Sequence, residues 1–251
     1  MGLFDFFKRK GAAKGPSGAV SRNISRLTNK YIDSDIRYDA AQQLAADGSP
    51  DAISGLLKRF RFMVDSSIKD GEEKQYVCDL LQELDDAAVE PLIAYLRDED
   101  EVVWAVQALR RIVPPDKFRS VLLDLLRQFQ DAEHIRFPAK VIVIIDAIAE
   151  FETDEVIRAL LPFLDDDDDD VRLATVKALS HPEYEEYARD HLLRVLVESE
   201  DRPRVVQAII EAVCELGWLV KGHRPAVEKL LPEGFYLVGK GTIKRRTSDS
   251  N

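Results

Sequence analysis

The sequence predicts an all-α protein: an α-solenoid of five or six stacked helix pairs, ending in a short C-terminal β-hairpin or irregular tail. Three observations carry this. Apolar residues recur at i, i+3, i+4 and i+7 in one window after another, the spacing of a single helix face. Period-two alternation is nearly absent. A degenerate motif returns about every 34 residues, and self-similarity at such a period is the signature of stacked repeats.

The motif reads acid, aliphatic, Arg, then small or apolar residues closing on an aliphatic. It is clearest in Asp35–Leu44 and Asp170–Leu179. Glu101–Leu109 and Arg204–Val213 keep its rhythm, and Tyr76–Leu84 and Lys140–Ile148 are weaker copies. The closing residues Leu44, Leu84, Leu109, Ile148, Leu179 and Val213 stand 40, 25, 39, 31 and 34 positions apart. A second helical pattern fills the gaps: Ala52–Phe60, Val89–Leu96, Val121–Phe129, Val156–Leu164 and His191–Val197. Helix starts are marked at Ser49-Pro50-Asp51, Pro114-Pro115-Asp116 and Thr153-Asp154-Glu155. One helix of such a pair cannot bury its apolar stripe alone, so neighbouring pairs must stack. Near the end, Phe235–Val238 and Thr242–Arg245 flank Gly239-Lys240-Gly241, which reads as a hairpin. The organisation expected is an amphipathic segment and linker over 1–20, repeats over 21–232 and a basic hairpin or tail over 233–251.

The chain resembles the HEAT-repeat family, and more loosely the armadillo family. The resemblance rests on the Asp-rich turn, the aliphatic–Arg step and the small-residue helix in Asp35–Leu44 and Asp165–Leu179. Arg204–Gly217 shares the small-residue helix and its Leu216-Gly217 ending. It implies a repeat array over about 21–232 in which Arg37 and Arg172 bond acids of the preceding turn, with Asp33 and Asp166 as candidates. It also implies an inner face where Arg37, Trp104, Arg172 and Lys177 are the candidate binding residues, and a role as a non-enzymatic protein-binding scaffold with no cofactor. Relatives that attach bilins or excise DNA bases keep an enzymatic alternative open. The tetratricopeptide family has the same period, but its Trp, Gly, Tyr and Pro landmarks are missing.

Charge is unevenly spread. Residues 1–30 hold seven bases against Asp5 and residues 238–251 hold four against Asp249, while 31–237 hold 24 bases against 44 acids. A body so acidic repels nucleic acid and anionic membrane, whereas the two ends attract either. Acids crowd the inter-helix turns: Asp98 and Asp100; Asp70 with Glu72 and Glu73; Glu198 with Glu200 and Asp201; and the run Asp165, Asp166, Asp167, Asp168, Asp169 and Asp170. Stacking would align these turns into an acidic ridge that suits a basic protein partner. The plainer reading of the Asp run is a solvated turn capping the helix that starts at Val171. A calcium loop needs alternating ligands, a Gly and a distal Glu, which the run lacks.

The N-terminus is the most unusual local feature. Leu3, Phe4, Phe6 and Phe7 precede Lys8, Arg9 and Lys10, and Gly11–Gly18 has linker composition. Four such side chains offer about 1.5–3 kcal/mol each on burial. Three roles suit them: capping the repeat array, entering a partner's groove, or peripheral contact with a membrane surface through the basic collar. The myristoylation pattern fails because position 6 is Phe.

Other chemistry is poorly supported. Gly234–Gly241 departs from a phosphate-binding loop at Gly241, where Ser or Thr is required. His134, His181, His191 and His223 show no metal-ligand spacing. Cys78 and Cys214 sit in apolar helical stripes, as small core residues do, and two such thiols suit a reducing compartment, here the cytoplasm.

Overall fold

The computed structural model describes residues 16–131, 137–199 and 201–246. The chain divides into two compact units, with the boundary between Val113 and Pro114. The first contains α1 (Gly18–Leu27), α2 (Ser34–Asp47), α3 (Pro50–Leu57), α4 (Ser67–Glu83), α5 (Asp86–Asp98) and α6 (Val103–Ile112). In it α4 packs between α2 and α6, α3 packs on α5, and α1 crosses α2 and α3. This is helix-pair stacking in two layers, the arrangement of an α-solenoid.

The second unit contains α7 (Pro115–Asp131), α8 (Pro138–Ile148), α9 (Asp154–Leu160), α10 (Asp169–Leu179), α11 (Glu185–Glu198), α12 (Pro203–Leu216) and α13 (Arg224–Leu230). It repeats the plan: α10 lies between α8 and α12 in one layer, and α7 meets α9 in the other. Strands β1 (Phe235–Val238) and β2 (Thr242–Arg245) form an antiparallel hairpin with Tyr236 opposite Lys244 and Val238 opposite Thr242. The all-α architecture and the hairpin match the expectation from sequence.

Local chemistry sets the boundaries. Ser49 caps α3 by accepting from the Ala52 N–H, with Pro50 in the first turn where its missing N–H costs nothing. Thr153 caps α9 in the same way. Gly48 and Gly217 end α2 and α12 at φ of 64° and 69°, the left-handed conformation glycine adopts freely. The motif's closing residues mark one layer: Leu44, Leu109, Ile148, Leu179 and Val213 are completely buried on α2, α6, α8, α10 and α12, while Leu84 is half-buried at the end of α4. The patterns at Ala52–Phe60 and Val156–Leu164 do not stay α-helical throughout. Each tightens into a 3₁₀ turn, at Lys58–Arg61 and Leu161–Asp165. No helix among the described residues is long and apolar enough to cross a membrane.

Candidate functional site

In the second unit the helices that bury the closing aliphatics turn a different stripe outward. On α12 it is Ala208, Glu211 and Glu215, with Ala212 buried between them; on α10, Leu173 and Lys177, followed by Ser180 just past its end; on α8, Asp146, followed by Ala149 and Glu150 just past its end. These spacings of three and four keep each set on one helix face. Alanine and serine fill little of the space between neighbouring helices, and two clefts result. One of about 360 Å³ lies between α10 and α12, with Leu173, Val176, Ala208 and Leu216 as apolar wall and Glu211 and Glu215 at its edge. The other, of about 270 Å³, lies between α8 and the end of α10, with Asp146, Glu150, Glu152, His181 and Tyr184 around it. Lys177 and Ser180 line both clefts, so the two adjoin. Lys177 Nζ lies 3.6 Å from Asp146 Oδ1 and is largely solvent-exposed. Five carboxylates therefore face one lysine over a grooved, partly aliphatic surface, which favours cationic side chains carried on an apolar stem.

At one rim, Glu152, His181 and Glu183 bring three potential ligand atoms within 4.8 Å of one another. The imidazole is already in use. Its Nδ1 accepts from the Glu183 N–H at 3.4 Å, capping a 3₁₀ turn, and Nε2 lies 3.5 Å from Glu152 Oε1. His181 thus already serves as the cap of the 3₁₀ turn that carries Glu183.

Arg37 does not sit on an open face. It is buried, and its partner is Glu73 rather than Asp33. Glu73 Oε1 accepts from Ser34 at 2.6 Å and Arg37 at 2.7 Å, while Oε2 accepts from Arg37 at 2.9 Å and Arg59 at 2.8 Å. Arg37 also donates to the Ile32 and Asn29 carbonyls. Arg59 reaches on to Asp70 at 2.8 Å, and Lys74 Nζ lies 2.7 Å from the other Asp70 oxygen. Burial works to raise the Glu73 carboxyl, but hydrogen bonds from Arg37, Ser34 and Arg59 outweigh it and hold it below the usual carboxylate range. Asp70 is lowered in the same way, with Lys74 and Arg59 overcoming burial. Two of the three acids at 70, 72 and 73 thus face inward, because positions 70, 73, 74 and 77 share the buried side of α4.

The Asp run is largely occupied from within. Asp165 accepts two bonds from Arg194, at 3.2 and 2.8 Å, and Asp170 one from Arg204 at 2.7 Å. Asp169 pairs with Arg202, which also donates to the Asp167 carbonyl. Asp168 caps α10 by accepting from the Asp170 and Val171 N–H groups. Asp166 is buried, and its carboxylate accepts from the Asp168 N–H at 3.0 Å. Arg172 does reach Asp166, but at the backbone carbonyl, and also donates to Ser199 at 3.1 Å. Three arginines of the following repeat, Arg194 on α11, Arg202 at the cap of α12 and Arg204 on α12, pair with a stretch that looks uncompensated in sequence. Asp98, the last residue of α5, and Asp100, on the turn before α6, are exposed.

Trp104 is half-buried on α6, and its carbonyl accepts from the Cys78 thiol at 3.7 Å. Burial pushes that thiol up to about 12. Lys177 alone of the four expected face residues stands in the clefts; its acidic neighbours and the small residues that open the space lie outside the expected set. The spacing of Ala208, Glu211, Ala212 and Glu215 places them on one face of α12 but does not by itself reveal the opening beside it. The expected docking residues Leu3, Phe4, Phe6, Phe7, Lys8, Arg9 and Lys10 lie outside the described residues, as does His134.

A family model supports the repeat reading over part of the chain. Residues 135–214 match a family model described as HEAT repeats. Two crystal structures of engineered proteins resemble the chain. The first is 18% identical, with a TM-score of 0.39, over 84% of this chain and 61% of the other, so this chain spans about three fifths of its length. The second is 19% identical, with a TM-score of 0.36, over 79% and 98%. No curated protein matches the sequence.

Proposed function

We propose that the protein is a non-enzymatic interaction scaffold that holds a Lys/Arg-bearing protein segment in the paired clefts of α8, α10 and α12. One observation carries the reading: Asp146, Glu150, Glu152, Glu211 and Glu215 surround two adjoining clefts whose walls include Leu173, Val176 and Leu216. An amphipathic helix with bases beside aliphatic residues meets both demands, the apolar wall for affinity and the carboxylates for register and on-rate. In this reading Lys177 excludes a base from the centre of the groove and so orients the guest. The N-terminal Leu3–Lys10 segment supplies a second attachment, to a partner groove or an anionic membrane surface, which makes the protein a cytoplasmic adaptor.

The test is fluorescence anisotropy with a labelled Lys/Leu amphipathic helical peptide and a Gln/Leu control. The basic peptide is expected to bind more than tenfold tighter, and Glu211→Lys with Glu215→Lys to remove that preference. Equal binding of the two peptides, or indifference to the charge reversal, refutes the reading. Vesicle flotation of full-length protein against Phe6→Glu with Phe7→Glu tests the second attachment.

A further inference from the structure

Residues 217–246 form a folded basic module. Beyond Gly217, the Val220 N–H donates to the Gly241 carbonyl at 2.9 Å, and Leu219 bridges to Thr242. Arg224 on α13 donates to the Gly239 carbonyl at 2.7 Å, fastening that helix to the hairpin tip. Trp218, Val220, Val227, Phe235 and Ile243 are buried beneath. Over 217–246 the only acids are Glu228 and Glu233. Against them stand Lys221, Arg224 and Lys229 on the α13 side, and Lys240, Lys244, Arg245 and Arg246 on the ribbon, all exposed. With Phe235 and Ile243 buried on one face of the ribbon, the outer face presents Tyr236 opposite Lys244 and Val238 opposite Thr242.

We propose that this ribbon and α13 bind the sugar–phosphate backbone of duplex nucleic acid, with the Gly239-Lys240-Gly241 tip leading. Charge complementarity is the first reason. Geometry is the second: a two-stranded ribbon is of a width that a major groove admits. The tip carries glycines and a lysine with no apolar side chain to enter a bilayer, which disfavours a membrane as the occupant. The acidic body does not veto the contact, since screening limits its reach to about 8 Å at physiological salt. Binding through phosphates alone is blind to sequence and steeply salt-dependent.

The experiment uses full-length protein and a fluorescent 20-base-pair DNA duplex at 50 and 200 mM KCl. Three phosphate contacts predict an affinity loss of roughly 40-fold between those salts. Lys240→Glu, Lys244→Glu and Arg246→Glu together are expected to weaken binding more than tenfold at 50 mM and to flatten the salt dependence, with an unchanged melting temperature. The Gln versions of the same three serve if the Glu set fails to fold, with a smaller loss of the same kind. No binding at 50 mM overturns the proposal. So does binding indifferent to both variant sets, which would place it on the N-terminal bases. Flotation with phosphatidylserine vesicles that the variants abolish, without DNA binding, overturns it in favour of a membrane.

Discussion

Arg59 Nε lies 2.8 Å from Glu73 Oε2, with the arginine side chain wholly removed from solvent and the glutamate almost so. A guanidinium so placed needs its carboxylates. Removing one member of a buried ion network strands the others, at about 3–5 kcal/mol. Glu73→Gln therefore leaves Arg37 and Arg59 short of a counter-charge, and urea unfolding should show a loss of that size. Glu72→Gln, one residue away and exposed, should fall within about 0.5 kcal/mol of the parent.

The same network sets an acid limit. Glu73 and Asp70 are held below the usual carboxylate range in the folded chain. Their contribution is complete above the unfolded values, near pH 4, and is lost as pH falls through the lowered folded values. The urea midpoint should be level from pH 5 to 7 and drop below about pH 4. Glu73→Gln should show a shallower drop from its lower starting point.

Gly55 on α3 packs against Ile24 of α1. A Cβ there would meet Ile24 Cγ1 at 2.5 Å and Cδ1 at 2.7 Å. Gly55→Ala should destabilise by about 1–3 kcal/mol through overpacking, against the ordinary gain of alanine over glycine in a helix. Adding Ile24→Ala to Gly55→Ala should recover part of the loss, and a thermal-melting double-mutant cycle measures that coupling.

The six consecutive aspartates should respond unequally. Asp168→Ala removes the α10 cap and should cost about 1 kcal/mol. Asp167→Ala, an exposed side chain, should change stability by less than about 0.5 kcal/mol. Differential scanning calorimetry of the two variants separates cap from charge.

Cys78 should resist thiol reagents in the native state, since its thiol is pushed up to about 12 by burial. At pH 8, Cys214, half-buried on α12, should be labelled first, and Cys78 only with unfolding. Mass spectrometry of peptides after timed labelling distinguishes the two.

The helices were legible because the closing aliphatics of the motif, Leu84 excepted, are core residues of their unit. Leu44, Leu109 and Val213 repeat for the reason they are buried. The hairpin was legible because Gly239 and Gly241, both at positive φ, bracket its turn. What the sequence hid was long-range pairing between charges. Nothing near Glu73 announces that Arg37 and Arg59 converge on it from 36 and 14 positions away. Nor does the Asp run reveal that Arg194, Arg202 and Arg204 come to meet it. The clefts were hidden for a different reason: a helix pattern reports what is buried, while an opening depends on how little Ala208, Ala212 and Ser180 fill.

Many polar ties in both units join positions about one motif apart: Arg111 to Asp79 at 32, Arg127 to Glu155 at 28, Arg202 to Asp169 at 33 and Arg204 to Asp170 at 34. Each tie couples a segment to its immediate neighbour and to nothing further. In such a chain a local opening at one tie leaves the ties between other neighbouring segments in place. A break elsewhere is less forgiving: truncation ahead of Arg194 would leave Asp165, Asp169 and Asp170 facing water with their charges unmatched.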